Sequence, residues 1–330
     1  MGALMNNCFL KNTRKLIQII FSLVLTSFLL NTNISFSQSS NNKKIPLRVG
    51  YVPTTSWLPV WIANEKGYFA DNGLDVTLVP TQNVSVLPPI VGKQLDFAPS
   101  TPTDFIKASN SGLDLIITSG MTIESSSNHY VELIVRKDSG IRTINDLKNK
   151  IVATPALGAI SHSALLLWLK KSGIEPDSIR AVEIPYPNMP DQLKSKAVDA
   201  IESIQPFVGI LLANSDFISL GDPILKAADP SLFTHWIAQG AWVKANKQTV
   251  SAFNKSLSQA VTFIDSNPTE ARAALGKYTN LPEAVRQKIP LPQFSLTVTA
   301  NQLDVWVKVL KELNQLSKNV DATQLIFTAQ

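Results

Sequence analysis

His129, His162 and His235 are the side chains of widest chemical range in this chain. None of them lies in an H-E-x-x-H arrangement or at any other close metal-ligand spacing. No G-x-S-x-G elbow is present, and no S-x-x-K pair with its partners stands out to activate a serine. Glu65, Asp71 and Asp75 fall in what reads as a solvated turn, so they are poorly placed as an acid–base pair. The residues that remain suit binding rather than bond-making. Hydroxyls cluster at Thr54-Thr55-Ser56, at Ser100-Thr101 with Thr103, and at Ser161. Trp57 and Trp236 offer aromatic faces with a polar N–H, a combination that fits a cleft closing on a solute. A histidine is by default a structural or surface residue. All three, however, fall near junctions where a ligand groove is expected, so both readings stay open for them.

The elements that must hold these groups follow from the periodicity. Leu47–Tyr51 is a short strand, and Val60–Lys66 a helix stopped by Gly67, where a left-handed residue is wanted. Tyr68 and Phe69 plug the turn, Asn72-Gly73 tightens it, and Leu74–Val79 alternates as a strand. Strand, helix and strand over about 30 residues make a βαβ unit with parallel strands. Past Gln82, a short helix is expected from near Leu87 to Val91, since Pro88-Pro89 is tolerated only in a first turn. The hydroxyls from Ser100 to Thr103 precede a helix over Asp104–Ser109, and can serve as N-caps, as ligand contacts, or as one of each. Leu113–Ser119 reads as a buried strand, Met121–Asn128 as a polar loop, and Val131–Arg136 as an alternating strand.

Thr143 with Asp146 forms a capping-box pattern, and a strand follows at Lys150–Ala153. Pro155–Ser161 then leads into a helix over His162–Ser172 with Leu165, Leu166, Trp168 and Leu169 on its apolar face. A glycine loop running into a helix can cradle an anion, yet P-A-L-G-A-I-S matches neither nucleotide-binding fingerprint. Ala181–Pro185, Val198–Ile201 and Phe217–Leu220 are further strands, and Ile237–Lys244 reads as a return strand. The tail is helical, with Thr299 and Gln302 as a capping box ahead of a stripe through Leu303, Trp306, Leu310 and Leu313. Trp168, Trp242 and Trp306 read as core.

Several of these segments carry a resemblance. The run E-K-G-Y-F at Glu65–Phe69 followed by G-L-D-V at Gly73–Val76 resembles the opening of the periplasmic sulfonate, taurine, nitrate and thiamine-pyrimidine binding proteins. Gly92–Ala98 (GKQLDFA), Asp146–Ala153 (DLKNKIVA) and Val198–Ile201 (VDAI) continue it, so that it covers Pro46 to Lys318. There are two departures. Asn149 stands where relatives carry glycine, a mild change because Asn tolerates the left-handed turn. Gln205-Pro206 stands where many relatives carry Glu-Pro, which removes any role tied to that carboxylate.

The resemblance implies an α/β, two-lobe type II periplasmic-binding fold, with mainly parallel sheets flanked by helices and a two-strand hinge. Lobe 1 would be discontinuous, over residues 46–137 plus 237–330, and lobe 2 would cover 138–236. The implied function is capture of a small anionic or heteroaromatic organic solute by hinge closure, with delivery to an ABC-transporter permease. Parallel α/β sheets bind ligands at the carboxyl ends of their strands. On that basis the candidate ligand residues are Thr55, Trp57, Gln82, Ser100, Thr101, Gly158, Ser161, His162, Tyr186 and Trp236. No arginine stands among them to clamp a sulfonate. No catalytic residue, metal or cofactor is expected, and the protein is expected to act as a monomer. Two alternatives are an enzyme related to the pyrimidine-precursor synthases, whose cysteine-rich iron motif is missing here, and a ligand-sensing protein serving a receptor.

Composition agrees with an exported chain. Lys11, Arg14 and Lys15 precede an apolar stretch over Leu16–Leu30, shorter than the ~20 residues that span a bilayer. Ser35-Phe36-Ser37 offers small residues at a cleavage point. Residues 1–37 are therefore expected to be a signal peptide, 38–45 a flexible leader, and the location the periplasm. The only cysteine, Cys8, lies ahead of the apolar stretch, so the processed chain would carry no thiol and no lipid anchor. Three of the 30 basic residues and none of the 25 acidic ones lie in the signal, so the formal charge of +5 falls by three on cleavage. With no long Lys/Arg run, nucleic acid is not an expected partner.

Overall fold

The structure, a computed structural model, describes residues 43–81, 84–128, 130–279, 281–316, 318 and 320–328. The expected signal peptide, most of the leader, Gln82 and His129 lie outside the described residues. The opening βαβ unit forms as the periodicity requires. Strands β1 (Ile45–Tyr51) and β2 (Leu74–Pro80) pair in parallel, from Ile45 opposite Leu74 to Tyr51 opposite Pro80. Helix α1 (Leu58–Glu65) joins them, with Pro59 in its first turn and Val60, Trp61 and Ile62 all buried. Gly67 ends the run at φ 77°, in the left-handed region a side chain resists.

Strand β3 (Ala98–Ser100), helix α2 (Pro102–Asn110) and strand β4 (Leu115–Glu124) follow. The chain then builds β5 (Val131–Arg136), β6 (Ile151–Thr154), α3 (Ile160–Lys171), β7 (Arg180–Glu183), β8 (Ala200–Ile204) and β9 (Phe217–Gly221). A short helix α4 (Pro223–Ala227) leads to β10 (Ser231–Gln239), and the helices α5 (Lys247–Ser266) and α6 (Pro268–Thr279) come next. Strand β11 (Gln293–Phe294) and helix α7 (Ala300–Glu312) follow. As expected, the Thr299–Gln302 capping box starts α7 and Asn149 adopts a left-handed φ of 63°.

Two larger sheets result. One runs β11-β4-β10-β3, and a parallel bridge from Val49 to Phe97 joins β1 to its β3 side. The other runs β7-β6-β8-β5-β9. Successive residues of β5 feed opposite faces of the second sheet: Leu133 and Val135 pack with Leu165 and Leu169 of α3, while Ile134 packs with Met189, Leu193 and Leu211. Helix α3 also reaches the first part of the molecule. Its Ile160, Ala164 and Leu167 share one apolar cluster with Phe105 of α2 and with Trp306 and Leu310 of α7. Lys170 of α3 donates to the Glu312 carbonyl at 2.7 Å on that flank.

Five expectations need correction. The sheets are mixed rather than mainly parallel, because both connecting strands enter as antiparallel neighbours: β10 pairs antiparallel with β3 and β4, and β5 with β8 and β9. Among the described residues the parallel strand pairs are β1–β2, β6–β7 and β6–β8. The helix expected past Leu87 shrinks to a 3-10 turn at Pro88–Ile90, since two adjacent prolines remove the N–H groups a longer helix needs. The polar loop expected from Met121 is the second half of β4, buried to Glu124. The return strand begins at Ser231, six residues early, and residues 240–245 are helical. Its polar T-H-W run hid a strand buried on both faces, where alternation vanishes. Finally, β5 belongs wholly to the second sheet, so the first crossing lies between Glu124 and Val131 and not at Lys137.

Candidate functional site

Between the two larger sheets lies a cavity lined by residues from both. One wall comes from the loop after β1, with Val52, Thr54, Ser56 and Trp57, joined by Val84, Ser85, Thr101 and, from β10, Phe233 and Thr234. The facing wall comes from the loop after β6 and the start of α3, with Pro155, Ala156, Ala159, Ile160 and Ser161, plus Tyr186 and Ile204. Tyr186, with Val52 and Thr54, also lines a neighbouring hollow that includes Pro53, Pro80, Thr81 and Phe207. A mostly apolar lining with a few hydroxyls among it suits a small organic molecule.

Four of the sequence-predicted residues meet at this cavity: Trp57, Thr101, Ser161 and Tyr186. Trp57 is 1% exposed and stands edge-on to Trp236, with ring centroids 5.0 Å apart. Trp236 is fully buried one layer back, between Trp57 and Phe253, and does not line the space. It braces the wall instead. Thr55 and Ser100 are buried but turn away, the Ser100 hydroxyl donating to the Thr101 carbonyl at 3.3 Å. Gly158 and His162 lie behind the cavity wall, because α3 starts at Ile160 and carries His162 into its first turn.

Gly158 is the centre of a connection across the cleft. Its carbonyl accepts the Lys107 ammonium of α2 and the Ser163 hydroxyl, and its N–H donates to Nδ1 of His162 at 2.8 Å. Leu157 N–H donates to Glu183 Oε1 at 2.7 Å, which anchors the same loop. Burial first, then the nearby Lys107, pulls the His162 pKa down to about 4, so its ring is neutral and accepts. His235 is buried against Phe105 and its pKa falls to about 3. A Cβ added at Gly158 would lie 2.5 Å from the Lys107 ammonium, at a backbone φ of 76°. Gly158→Ala should therefore cost about 1–2 kcal/mol of stability in urea denaturation from the left-handed backbone alone. Adding Lys107→Met to it should cost less than the two single losses combined, because the ammonium that clashes has gone.

The sequence missed most of the apolar lining, and one acid. Asp104 lies in the first turn of α2, 7% exposed. It accepts from Thr101 Oγ1 at 2.6 Å and from Ser85 Oγ at 2.9 Å. Burial raises its pKa, against the opposing pull of Thr101, Lys107 and Ser85. Burial also lowers the Lys107 pKa, with Asp104 opposing. Its spacing three residues after Thr101 was the available signal. Glu202 on β8 is buried next to the Thr154 hydroxyl, and burial lifts its pKa to about 8. The same burial, with Glu202 nearby, raises the Tyr186 phenol, whose hydroxyl faces that of Ser161. Among the described residues no group of three or more His, Cys, Asp or Glu is placed to hold a metal.

Two sheets joined by paired connections around a lined cavity define a periplasmic-binding-protein fold, and solved structures agree. The chain is similar to the alkanesulfonate-binding protein SsuA from Xanthomonas axonopodis pv. citri bound to MOPS, with a TM-score of 0.74, 19% identity, and coverage of 87% of this chain and 99% of that one. It is also similar to the periplasmic nitrate-binding protein NrtA from Synechocystis PCC 6803, with a TM-score of 0.71, 13% identity and coverage of 86% of each. Residues 54–271 match the model of the NMT1/THI5 like proteins, and the chain belongs to that family. It is 30% identical over 172 residues to the bicarbonate transport ATP-binding protein CmpC of Synechococcus elongatus, which covers 48% of this chain. The chain spans 26% of the length of that relative.

Proposed function

We propose that this protein is the solute-binding component of an ABC importer, working in the periplasm and handing a small solute to a membrane permease. The observation that carries the reading is the cavity lined from both sheets, with Trp57 and Thr101 on one side and Ser161 and Tyr186 on the other. A solute touching both walls favours the closed arrangement over any open one, which is all that capture by closure requires. The two lobes of this reading are residues 46–124 with 231–328, and 131–221, hinged where β4 passes to β5 and β9 passes to β10. Its ligand-lining residues are Trp57, Thr101, Ser161 and Tyr186, with Trp236 as support. The protein acts as a monomer and changes no bond in its solute. Among the described lining residues there is no lysine or arginine. Of the two solute classes expected from the sequence, this supports the heteroaromatic one over the anion. Micromolar capture needs about −8 kcal/mol, within reach of an aromatic face and a few hydrogen bonds in a dry site.

The test is small-angle scattering during solute titration, followed by denaturation and mass spectrometry of what is released. The radius of gyration should fall with bound solute, and the released molecule should be the one added. A chemically altered product would place the protein among enzymes of this fold. Saturable binding with no change in dimensions would remove the closure mechanism.

A further inference from the structure

We propose that Asp104 fixes the polarity of one end of the cavity, so that the solute must bring a hydrogen-bond donor, an N–H or O–H group, to Thr101. This rests on the solute-binding reading above and specifies the class of solute.

A hydroxyl has one proton to give and lone pairs to accept with. The Thr101 proton goes to Asp104 Oδ2 at 2.6 Å and the Ser85 proton to Asp104 Oδ1 at 2.9 Å. Thr101 and Ser85 both line the cavity, and what Thr101 can present there is lone pairs. Thr103 Oγ1, 3.4 Å from Thr101 Oγ1, is a further neighbour on that side. Against the burial that raises its pKa, the Asp104 carboxylate is supported by its place in the first turn of a helix of nine residues, by Lys107 one turn on, and by the two hydroxyls. The oxygens of nitrate or a sulfonate are acceptors only. At this end they would meet acceptors with no proton between them, in a site whose described lining carries no cation. Leaving such groups unpaired in a dry pocket is what makes a polar site reject the wrong partner.

The rest of the lining is less demanding. The hydroxyls of Ser161 and Tyr186 face one another, and that of Ser56 lies beside Tyr130, so each can turn to give or to accept. Val52, Val84, Ala156 and Ile160 leave an apolar middle. The solute class is therefore a small, uncharged or cationic molecule with an apolar or planar body and an amino, imino or hydroxyl group at one end.

The experiment is calorimetric titration of the full chain with matched probes: 2-aminopyrimidine against pyrimidine, benzylamine against benzenesulfonate, and nitrate alone. The donor-bearing member of each pair should bind about 100-fold tighter, with nitrate showing no binding. In Asp104→Asn the amide NH₂ donates to one hydroxyl and releases that proton into the cavity, so the ratio should fall at least tenfold. Should that variant fail to fold, Thr101→Val must reduce the ratio while Thr101→Ser keeps it. Equal or absent binding by both members of each pair overturns the proposal, as does a ratio unchanged in Asp104→Asn. Scattering separates the two readings. Closure on benzenesulfonate or nitrate overturns only the donor requirement, whereas binding without closure counts against the solute-capture reading itself.

Discussion

Raising the pH from 6.5 to 8 is expected to destabilise the folded protein by about 1.4 kcal/mol per pH unit for each proton it holds that the unfolded chain does not. Two such protons are identifiable. Glu124 ends β4 and is fully buried, with Oε1 accepting from the N–H groups of Tyr130 at 2.7 Å and Val131 at 3.2 Å. Asp222 caps α4, with Oδ1 accepting from Ile224 at 2.6 Å and Leu225 at 3.4 Å. Their remaining oxygens face each other and are satisfied only if a proton lies between them. Burial and then Asp222 push Glu124 up to about 10, and burial pushes Asp222 up to about 6. Glu202, at about 8, holds the second proton.

The sign follows from these directions. A carboxyl whose folded pKa exceeds its unfolded one contributes stability that is complete below the unfolded value and is lost as pH rises through the folded value. The buried histidines act oppositely. With folded values of about 4 and about 3 against 6.5, His162 and His235 disfavour the folded state in acid and release that cost as pH rises to 6.5. The trends oppose one another most below pH 6.5, the histidine contribution fades over the next pH unit, and the carboxyls outweigh it throughout the window. Denaturant midpoints taken from pH 6.5 to 8 should fall steadily, and Glu124→Gln should halve the slope. A flat profile over that window would mean that neither acid is protonated. The position of the pair matters for movement as well, since Glu124 and Asp222 stand where both connections pass between the sheets. Losing the shared proton would place two like charges side by side where the chain passes between the sheets.

The helical and turn chemistry of this fold was open to reading because it is local. Gly67 ending α1, the Thr299–Gln302 capping box and the left-handed Asn149 each need only their neighbours in sequence. The strands that cross between the sheets were misplaced for the opposite reason. Both are buried on two faces, so Met121–Glu124 and Ser231–Trp236 lack the alternation that marks a half-exposed strand. The site divides along the same line. Trp57, Thr101, Ser161 and Tyr186 follow from the rule that loops at strand ends gather around a cleft. Gly158 and His162 fell one turn wrong because α3 starts at Ile160, ahead of where the loop was expected to end. The apolar lining carries no sequence signal of its own, since Val52, Ala156 and Ile204 look like any core residue until the opposing wall is in place.

Trp57→Ala and Trp306→Ala should each remove about 3–5 kcal/mol of stability, and only the first should abolish solute-driven closure. Both indoles are buried to the same degree, so a large loss on truncation is expected from either cavity alone. Their surroundings differ. Trp306 packs on α7 in the shared apolar cluster and donates to Ser231 Oγ at 3.2 Å, away from the lined space. Trp57 forms part of the cavity wall and is held upright by Trp236. Comparing the two therefore separates loss of fold from loss of site, which neither variant does alone. The measurement pairs denaturant midpoints with scattering under saturating solute, at a temperature where both variants remain folded. Trp57→Phe refines the comparison: a smaller ring keeps an aromatic face towards the solute but opens a gap against Trp236, so part of the stability should return and weakened closure should persist. If Trp306→Ala lost closure as completely as Trp57→Ala, the lined space between the sheets would not be where the solute is read.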